Sequence, residues 1–256
     1  MRLPRHPKAV LVDLAGVLHV GDEAIPGAVE ALQRLQRSAI ALRYLTNTSR
    51  TPRATIVVKL RKMGFEIDEG RVFTAPMAAI EYLRSHGLAP HWLVHPDIVP
   101  ELGPSALEPG AVVLGDAAHF FTFEALNTAF RLIMRGLPLV AMAKNRYFKE
   151  PEGLTLDMGA FVAGLEYSTG VTATVVGKPA PAYFNGALSL LGVKPEDAVM
   201  IGDDLADDIG GAQAVGIAGI LVRTGKFRPQ DEHDEHVTPV AVVDDFAAAV
   251  AMLLEA

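Results

Sequence analysis

Apolar and polar positions along this chain fall into blocks with two rhythms, one of strands and one of helices. Ala9-Val-Leu-Val is a continuous apolar run of four that ends on a carboxylate at Asp13, with Gly16 close behind. A run that short, with two β-branched residues and a turn behind it, predicts a parallel strand buried on both faces. Ile25-Pro26-Gly27 marks a turn, and residues 28–37 carry Val29, Leu32 and Leu35 at helical spacing. Residues 40–45 predict a second strand. It closes in the hydroxyl-rich Thr46-Asn47-Thr48-Ser49, ahead of a helix over 52–63 that Gly64 stops. Strand, helix and strand make a βαβ unit with a right-handed crossover.

The punctuation then changes. An extended piece at 73–75 and a helix over 76–85 lead into a stretch cut by prolines at 90, 96, 100, 104 and 109. Short strands at 92–94, 111–114 and 139–143, with helices at 123–135 and 159–168, predict a second, smaller α/β layer inserted into the first. A strand at 171–176 returns the chain to Gly177-Lys178-Pro179 and a helix over 182–191. The apolar strand 198–201 again ends in acid, Gly202-Asp203-Asp204-Leu-Ala-Asp207-Asp208, and Ala212 opens a helix. Strands at 217–222 and 241–243 and a helix over 246–254 finish the chain. The expected organisation is therefore an α/β, Rossmann-like parallel-sheet core in two parts, 1–76 and 175–256, around an inserted domain at 77–174.

Composition narrows the function. The 256 residues are 50% hydrophobic and 21% charged, ordinary for a globular protein, and the net charge of −7 argues against a nucleic-acid surface. Without cysteine there is no disulfide framework, thiolate nucleophile or cysteine-based zinc site. Arg2, Arg5 and Lys8 precede the first apolar run, but Asp13 interrupts it as no signal-peptide core would be interrupted. No run approaches the ~20 residues needed to span a bilayer. The expectation is a cytoplasmic enzyme that engages no membrane.

The predicted strands present Asp13, Thr46 and Asp203 at their carboxyl ends, and Lys178 just beyond one. In an open parallel sheet those ends share one edge, where ligands bind. Two carboxylates, a hydroxyl and an ammonium suit phosphoryl transfer: one carboxylate attacks phosphorus, both hold Mg²⁺, and the other groups neutralise the phosphoryl oxygens.

In these motifs the chain resembles the haloacid dehalogenase superfamily of phosphohydrolases. Asp13-Leu-Ala-Gly-Val-Leu is similar to its nucleophile loop, Thr46-Asn47 to its second motif, Gly177-Lys178-Pro179 to its third, and Gly202-Asp203-Asp204 through Asp208 to its fourth. The insertion between the second and third motifs resembles the large cap of the NagD-type branch. Arg146-Tyr-Phe-Lys-Glu, Leu154-Thr-Leu-Asp-Met-Gly, Gly210-Gly-Ala-Gln and Val222-Arg-Thr-Gly-Lys-Phe-Arg-Pro look like the phospholysine phosphohistidine inorganic pyrophosphate phosphatases and their near relatives. The resemblance implies that Asp13 forms an aspartyl-phosphate, Thr46 and Asn47 bind the phosphoryl group and Lys178 balances charge. It also implies that Asp13, Asp203 and the backbone carbonyl of Ala15 ligate Mg²⁺, with Asp208 supporting the metal or Lys178. In the cap, the cationic segment Lys144, Asn145, Arg146, Tyr147 and Lys149 would supply substrate contacts, Asn145 and Tyr147 among them. The implied ligand is a small phosphorylated compound, and a homodimer through the cap is a further expectation.

One position departs from the pattern. The family places an acid, or in this branch a serine, where Ala15 stands, and a methyl group carries no proton. General acid–base catalysis is typically worth ~10²–10⁴-fold. Turnover should be slow and should favour leaving groups that need little protonation: pyrophosphate, phosphoramidates and aryl phosphates. The alternative is a catalytically impaired phosphate-ligand binding or regulatory protein on the same scaffold. His19 reads first as a solvent-facing or loop-packing histidine and, by position, as a substitute proton carrier in second place, while Asp204 and Asp207 read as helix-start acids and Asp116 and His119 as loop and helix-cap residues. A dehalogenase ranks last, since it has no use for metal-type acids at Asp203 and Asp208.

Overall fold

A computed structural model describes residues 2–150 and 153–255, without the side chains of Phe148, Lys149, Glu150 and Leu154. The chain opens with β1 (Ala9–Asp13), a small hairpin β2 (His19–Val20) and β3 (Glu23–Ala24), α1 (Ala28–Gln36), β4 (Ala41–Thr46), α2 (Arg53–Lys62) and β5 (Val72–Thr74). It continues through α3 (Ala75–His86), β6 (Pro90–Leu93), α4 (Val99–Leu102), β7 (Ala111–Leu114), α5 (Phe123–Met134), β8 (Leu139–Ala141), a hairpin β9 (Tyr147–Glu150) and β10 (Gly153–Leu156), α6 (Gly159–Thr169) and β11 (Thr174–Val175). Last come α7 (Pro181–Ser189), β12 (Ala198–Gly202), α8 (Gly211–Ala214), β13 (Ala218–Val222), β14 (Ala241–Val243) and α9 (Phe246–Glu255). Two compact units result: Met1–Thr46, Arg53–Phe73 and Lys178–Ala256 form one, and Asn47–Pro52 with Thr74–Gly177 the other. The segment Asn47–Pro52, which the sequence reading assigned to the core, thus packs with the inserted unit.

The first unit is built on a six-stranded sheet in the order β14-β13-β12-β1-β4-β5. β1 lies between β12 and β4, parallel to both, with Val12 opposite Ile201 on one side and Tyr44 on the other. All five residues of β1 are buried, as a strand covered on both faces must be, so its uninterrupted apolar run is the expected pattern. One covering layer is α1 and α9: Ala28, Ala31, Leu32 and Leu35 share a cluster with Ala249, Val250 and Leu253. Burying Leu32 and Leu35 contributes roughly 1.5–3 kcal/mol each. Val29 is only half-buried, so the helix turns its Ala28–Leu35 stripe inward. The chain leaves β1 toward β4 and β5 and later returns to fill the opposite side with β12, β13 and β14. That reversal next to β1 is the topological switch point at which open α/β sheets bind ligands.

The inserted unit has its own parallel sheet, β11-β8-β7-β6, and its own core around Val112, Leu114, Ile133, Leu139, Val162 and Leu165. The strand expected at 171–176 shrinks to Thr174–Val175, because Val171 and Ala173 pack as loop residues against that core. Both hairpins escaped the hydrophobic pattern. β2–β3 is only two residues on each side, too short to carry a period, and β9–β10 exposes the apolar Tyr147 and Leu156. No helix among the described residues is long and apolar enough to cross a membrane.

Candidate active site

Asp13 ends β1, Thr46 ends β4 and Asp203 directly follows β12, so three adjacent parallel strands deliver them to one edge. Lys178 enters the same edge at the start of the second half of the first unit. Its ammonium donates to Asp13 Oδ1 in a short contact and to Asp208 Oδ1 at 2.6 Å, with Lys178, Asp13 and Asp208 all buried. One oxygen from each of Asp13, Asp203 and Asp208 can be chosen so that all three lie within 4.8 Å of one another.

Local structure explains how three carboxylates are brought so close. The chain after Asp203 winds into a π-type turn, Leu205–Gly210, whose first amides are capped by Asp204: Ala206 N–H and Asp207 N–H both donate to its Oδ1, at 3.1 and 2.9 Å. The turn carries Asp208 back over Gly202, where a Cβ would meet the Asp208 Cβ at 2.3 Å, so residue 202 must be glycine. Asp204 and Asp207 are helix-start acids, as expected. Gly16, at φ 91°, approaches Asp203 in the same way: a Cβ there would lie 2.0 Å from Oδ2.

The electrostatics follow from burial. Loss of water pushes the Asp13 carboxyl well above its usual range; Lys178 opposes that shift, while Asp208 and Asp203 add to it. Burial likewise pushes Asp203 up to about 6, with Asp208 adding and the Lys226 amide opposing. Burial alone would lower Lys178, but Asp13 and Asp208 outweigh it and hold the ammonium raised and charged. Three carboxylates against one buried ammonium leave the cluster short of positive charge. Asp13 Oδ2 and Asp203 Oδ1 accept no hydrogen bond from the described residues, whereas their partner oxygens do. Hard oxygen donors with that deficit fit a small divalent cation such as Mg²⁺.

Tyr183 was missed in the sequence. It is fully buried on α7, its hydroxyl accepts from Thr46 N–H at 3.0 Å, and it lies 2.9 Å from the carbonyl oxygens of Thr46 and Phe73, to which it donates. The phenol thereby fixes the end of β4. A tyrosine beside Phe184 on the apolar side of the helix was the available signal, since a buried hydroxyl must find a partner.

The other expected residues lie apart from this cluster or in the inserted unit. Ala15 is exposed, and its backbone bridges to His19. His19 hydrogen-bonds through Nδ1 to the Gly21 carbonyl, with Lys59 and Asp22 as its charged neighbours, and burial lowers its pKa. Nothing in those contacts directs the ring to Asp13. Asn47 belongs to the inserted unit, where a Cβ on Gly177 would meet the Met142 carbonyl oxygen at 2.2 Å and Asn47 Oδ1 at 2.8 Å, which accounts for that glycine. Asn145 accepts from Gly159 N–H through its carbonyl at 3.0 Å. Tyr147 is exposed beside a cleft of about 680 Å³ that Lys144, Arg146, Leu156, Ala160 and Ala163 also line. The Lys149 side chain lies outside the described residues. Asp116 is a loop residue: its Oδ1 accepts from Ala118 N–H, and Arg50 lies 3.6 Å from its other oxygen. His119 sits in a single helical turn, its ring tilted against Phe120 with centroids 4.1 Å apart.

Comparison with known proteins agrees with this geometry. The haloacid dehalogenase-like hydrolase family model matches residues 10–98 and a HAD-hydrolase-like model residues 175–249. Haloacid dehalogenase-like hydrolase domain-containing protein 2 of Homo sapiens is 46% identical over 249 residues, 97% of this chain and 96% of its own. The chain belongs to the haloacid dehalogenase-like hydrolase family. This hydrolase is also similar to phospholysine phosphohistidine inorganic pyrophosphate phosphatase of Danio rerio, at 44% identity over 255 residues, covering 96% of this chain and 94% of the relative. Its fold matches the crystal structure of 4-nitrophenylphosphatase from Thermotoga maritima with a TM-score of 0.89 and 26% identity, over 97% and 98% of the two chains.

Proposed function

We propose that this hydrolase is a Mg²⁺-dependent phosphatase that works through an aspartyl-phosphate on Asp13, and that its natural substrates are small phosphorylated compounds with good leaving groups. The observation that carries the reading is the convergence of Asp13, Asp203 and Asp208 around Lys178 at the switch point of the sheet. An Asp13 oxygen attacks phosphorus as the bond to the leaving group breaks and the leaving group takes the electron pair. Water then attacks the same phosphorus, releasing phosphate and restoring the Asp13 carboxylate. Lys178 orients the nucleophile and neutralises charge on the phosphoryl oxygens, and Thr46 and Asn47 contribute hydrogen bonds to that group. Asp13, Asp203 and the Ala15 carbonyl would hold Mg²⁺, with Asp208 supporting it through Lys178; the ion would supply Lewis-acid stabilisation of the charge on the phosphoryl oxygens.

Ala15 shapes the substrate range. Its exposed methyl offers no proton to a departing alkoxide and takes none from the attacking water. Pyrophosphate, phosphoramidates and aryl phosphates, whose leaving groups need little protonation, are the favoured class. The names of the relatives from Danio rerio and Thermotoga maritima support it. Asn145 and Tyr147 of the inserted, cap-like unit contribute substrate contacts. Leu156, Ala160 and Ala163, exposed along the same cleft as Lys144 and Arg146, are the apolar positions that a homodimer through that unit would cover. The reading places the enzyme in the cytoplasm, with neither nucleic acid nor membrane as partner.

The test is a panel of pyrophosphate, a phosphoramidate, p-nitrophenyl phosphate and simple alkyl phosphates, each assayed with Mg²⁺ and with EDTA. Hydrolysis of the first three that EDTA abolishes, with alkyl phosphates slow, is the expected pattern. A preference for alkyl phosphates at every pH refutes the leaving-group argument. Ala15 also favours a second reading, a phosphate-ligand binding protein, which predicts Mg²⁺-dependent binding of those compounds without turnover.

A further inference from the structure

Thr224, Gly225 and Lys226, in the loop after β13, touch the two parts of the site that the chain supplies from opposite ends of its sequence. The Thr224 hydroxyl donates to the Gly16 carbonyl at 2.5 Å, and Gly16 belongs to the loop that begins at Asp13. Lys226 N–H donates to Asp203 Oδ2 at 2.7 Å. Between them Gly225 takes φ 59°, and a Cβ there would lie 2.0 Å from Asp203 Oδ2 and 2.5 Å from Gly16 Cα. The Asp203 carboxylate is therefore held between the bare backbones of Gly16 and Gly225, its rotation fixed by an amide on Oδ2. The Lys226 ammonium reaches Asp204 Oδ2 at 3.1 Å and ties the loop to the turn that carries Asp208.

We propose that this loop is a positioning clamp that sets Asp203 against the nucleophile loop, and that Thr224 is the residue through which it acts. The inference rests on the reading of Asp13 and Asp203 as Mg²⁺ ligands. The Oδ2 oxygen is spent on the Lys226 amide, so Oδ1 is presented in a single orientation. Its distance from Asp13 depends on how the loop grips Gly16, which the Thr224 hydroxyl decides. Removing that hydroxyl releases Gly16 from the loop without touching any carboxylate. Groups that orient metal ligands in this way typically control metal affinity by roughly 10–100-fold.

The experiment is calorimetric titration of the protein with Mg²⁺, comparing the parent with Thr224→Val, Thr224→Ala and Thr224→Ser, each checked for folding by circular dichroism. Valine keeps the shape and alanine relieves any strain valine adds, so either folded variant carries the test. Both should bind Mg²⁺ roughly 10–100-fold more weakly, while serine, which keeps the donor, should stay close to the parent. Phosphatase activity in the two weak binders should fall most at limiting Mg²⁺ and recover as Mg²⁺ is raised. Parental Mg²⁺ affinity in folded Thr224→Val or Thr224→Ala overturns the clamp and leaves the Mg²⁺ site standing. A parent that binds no Mg²⁺ overturns the metal reading, and the clamp with it.

Discussion

Replacing Tyr183 with phenylalanine removes one oxygen from the interior and nothing else. The ring keeps its edge-to-face contacts, centroid to centroid 5.1 Å with Phe73 and 5.8 Å with Phe184. What is lost is the acceptor for Thr46 N–H and the single hydroxyl hydrogen shared between the carbonyls of Thr46 and Phe73. Withdrawing the partner of a buried donor costs roughly 1–3 kcal/mol, and carbonyls, with two lone pairs, suffer less. The donor term dominates, so the variant should be less stable by about 2 kcal/mol. At ~2–4 °C per kcal/mol for a chain of this size, its melting temperature should fall by about 4–8 °C. Because the lost bonds anchor the end of β4, kcat/KM should fall with it. Scanning calorimetry in EDTA reads the first effect and steady-state kinetics at a temperature well below melting the second. A melting temperature within about 1 °C of the parent, with unchanged kinetics, would show that the phenol neither stabilises nor positions Thr46.

Two further substitutions probe the site itself. Ala15→Asp or Ala15→Ser supplies a proton carrier at an exposed position, and should raise kcat, most for alkyl phosphates, by ~10²-fold or more; equal or lower activity on every substrate would mean that Ala15 does not limit turnover. Lys178→Met strips Asp13 and Asp208 of their shared ammonium inside the protein, and removing one partner of a buried pair costs ~3–5 kcal/mol. Measured in EDTA, the variant should melt well below the parent and show no phosphatase activity when Mg²⁺ is restored, whereas a parental melting curve would contradict the burial of that charge cluster.

The sheet was legible in the sequence because its strands are covered on both faces and so read as unbroken apolar runs, as in Ala9–Asp13 and Ala198–Gly202. Asp13 and Asp203 stood out for the same reason: a carboxylate at the end of such a run has no structural excuse. Tyr183 did not, because nothing local distinguishes a core tyrosine from one whose hydroxyl anchors a strand 137 residues away in sequence. The Thr224–Lys226 loop lies within a stretch that resembles the family, but its hydrogen bond to Gly16 spans 208 residues and no pattern of neighbours encodes it. The hairpins were missed for a different reason. His19–Val20 and Glu23–Ala24 bury no alternating face, and in Tyr147–Glu150 and Gly153–Leu156 Tyr147 and Leu156 are exposed, so periodicity carried no signal there.

The covalent role of Asp13 is open to one direct measurement: intact-protein mass spectrometry on acid-quenched mixtures of the protein with p-nitrophenyl phosphate and Mg²⁺, with nitrophenol release followed in parallel and Asp13→Asn as control. With Ala15 slowing water's attack, the parent should accumulate a single phosphoryl adduct that peptide mapping assigns to Asp13, and Asp13→Asn should show neither adduct nor turnover. Steady nitrophenol release by a parent that carries no adduct, or by Asp13→Asn at the parental rate, would contradict it.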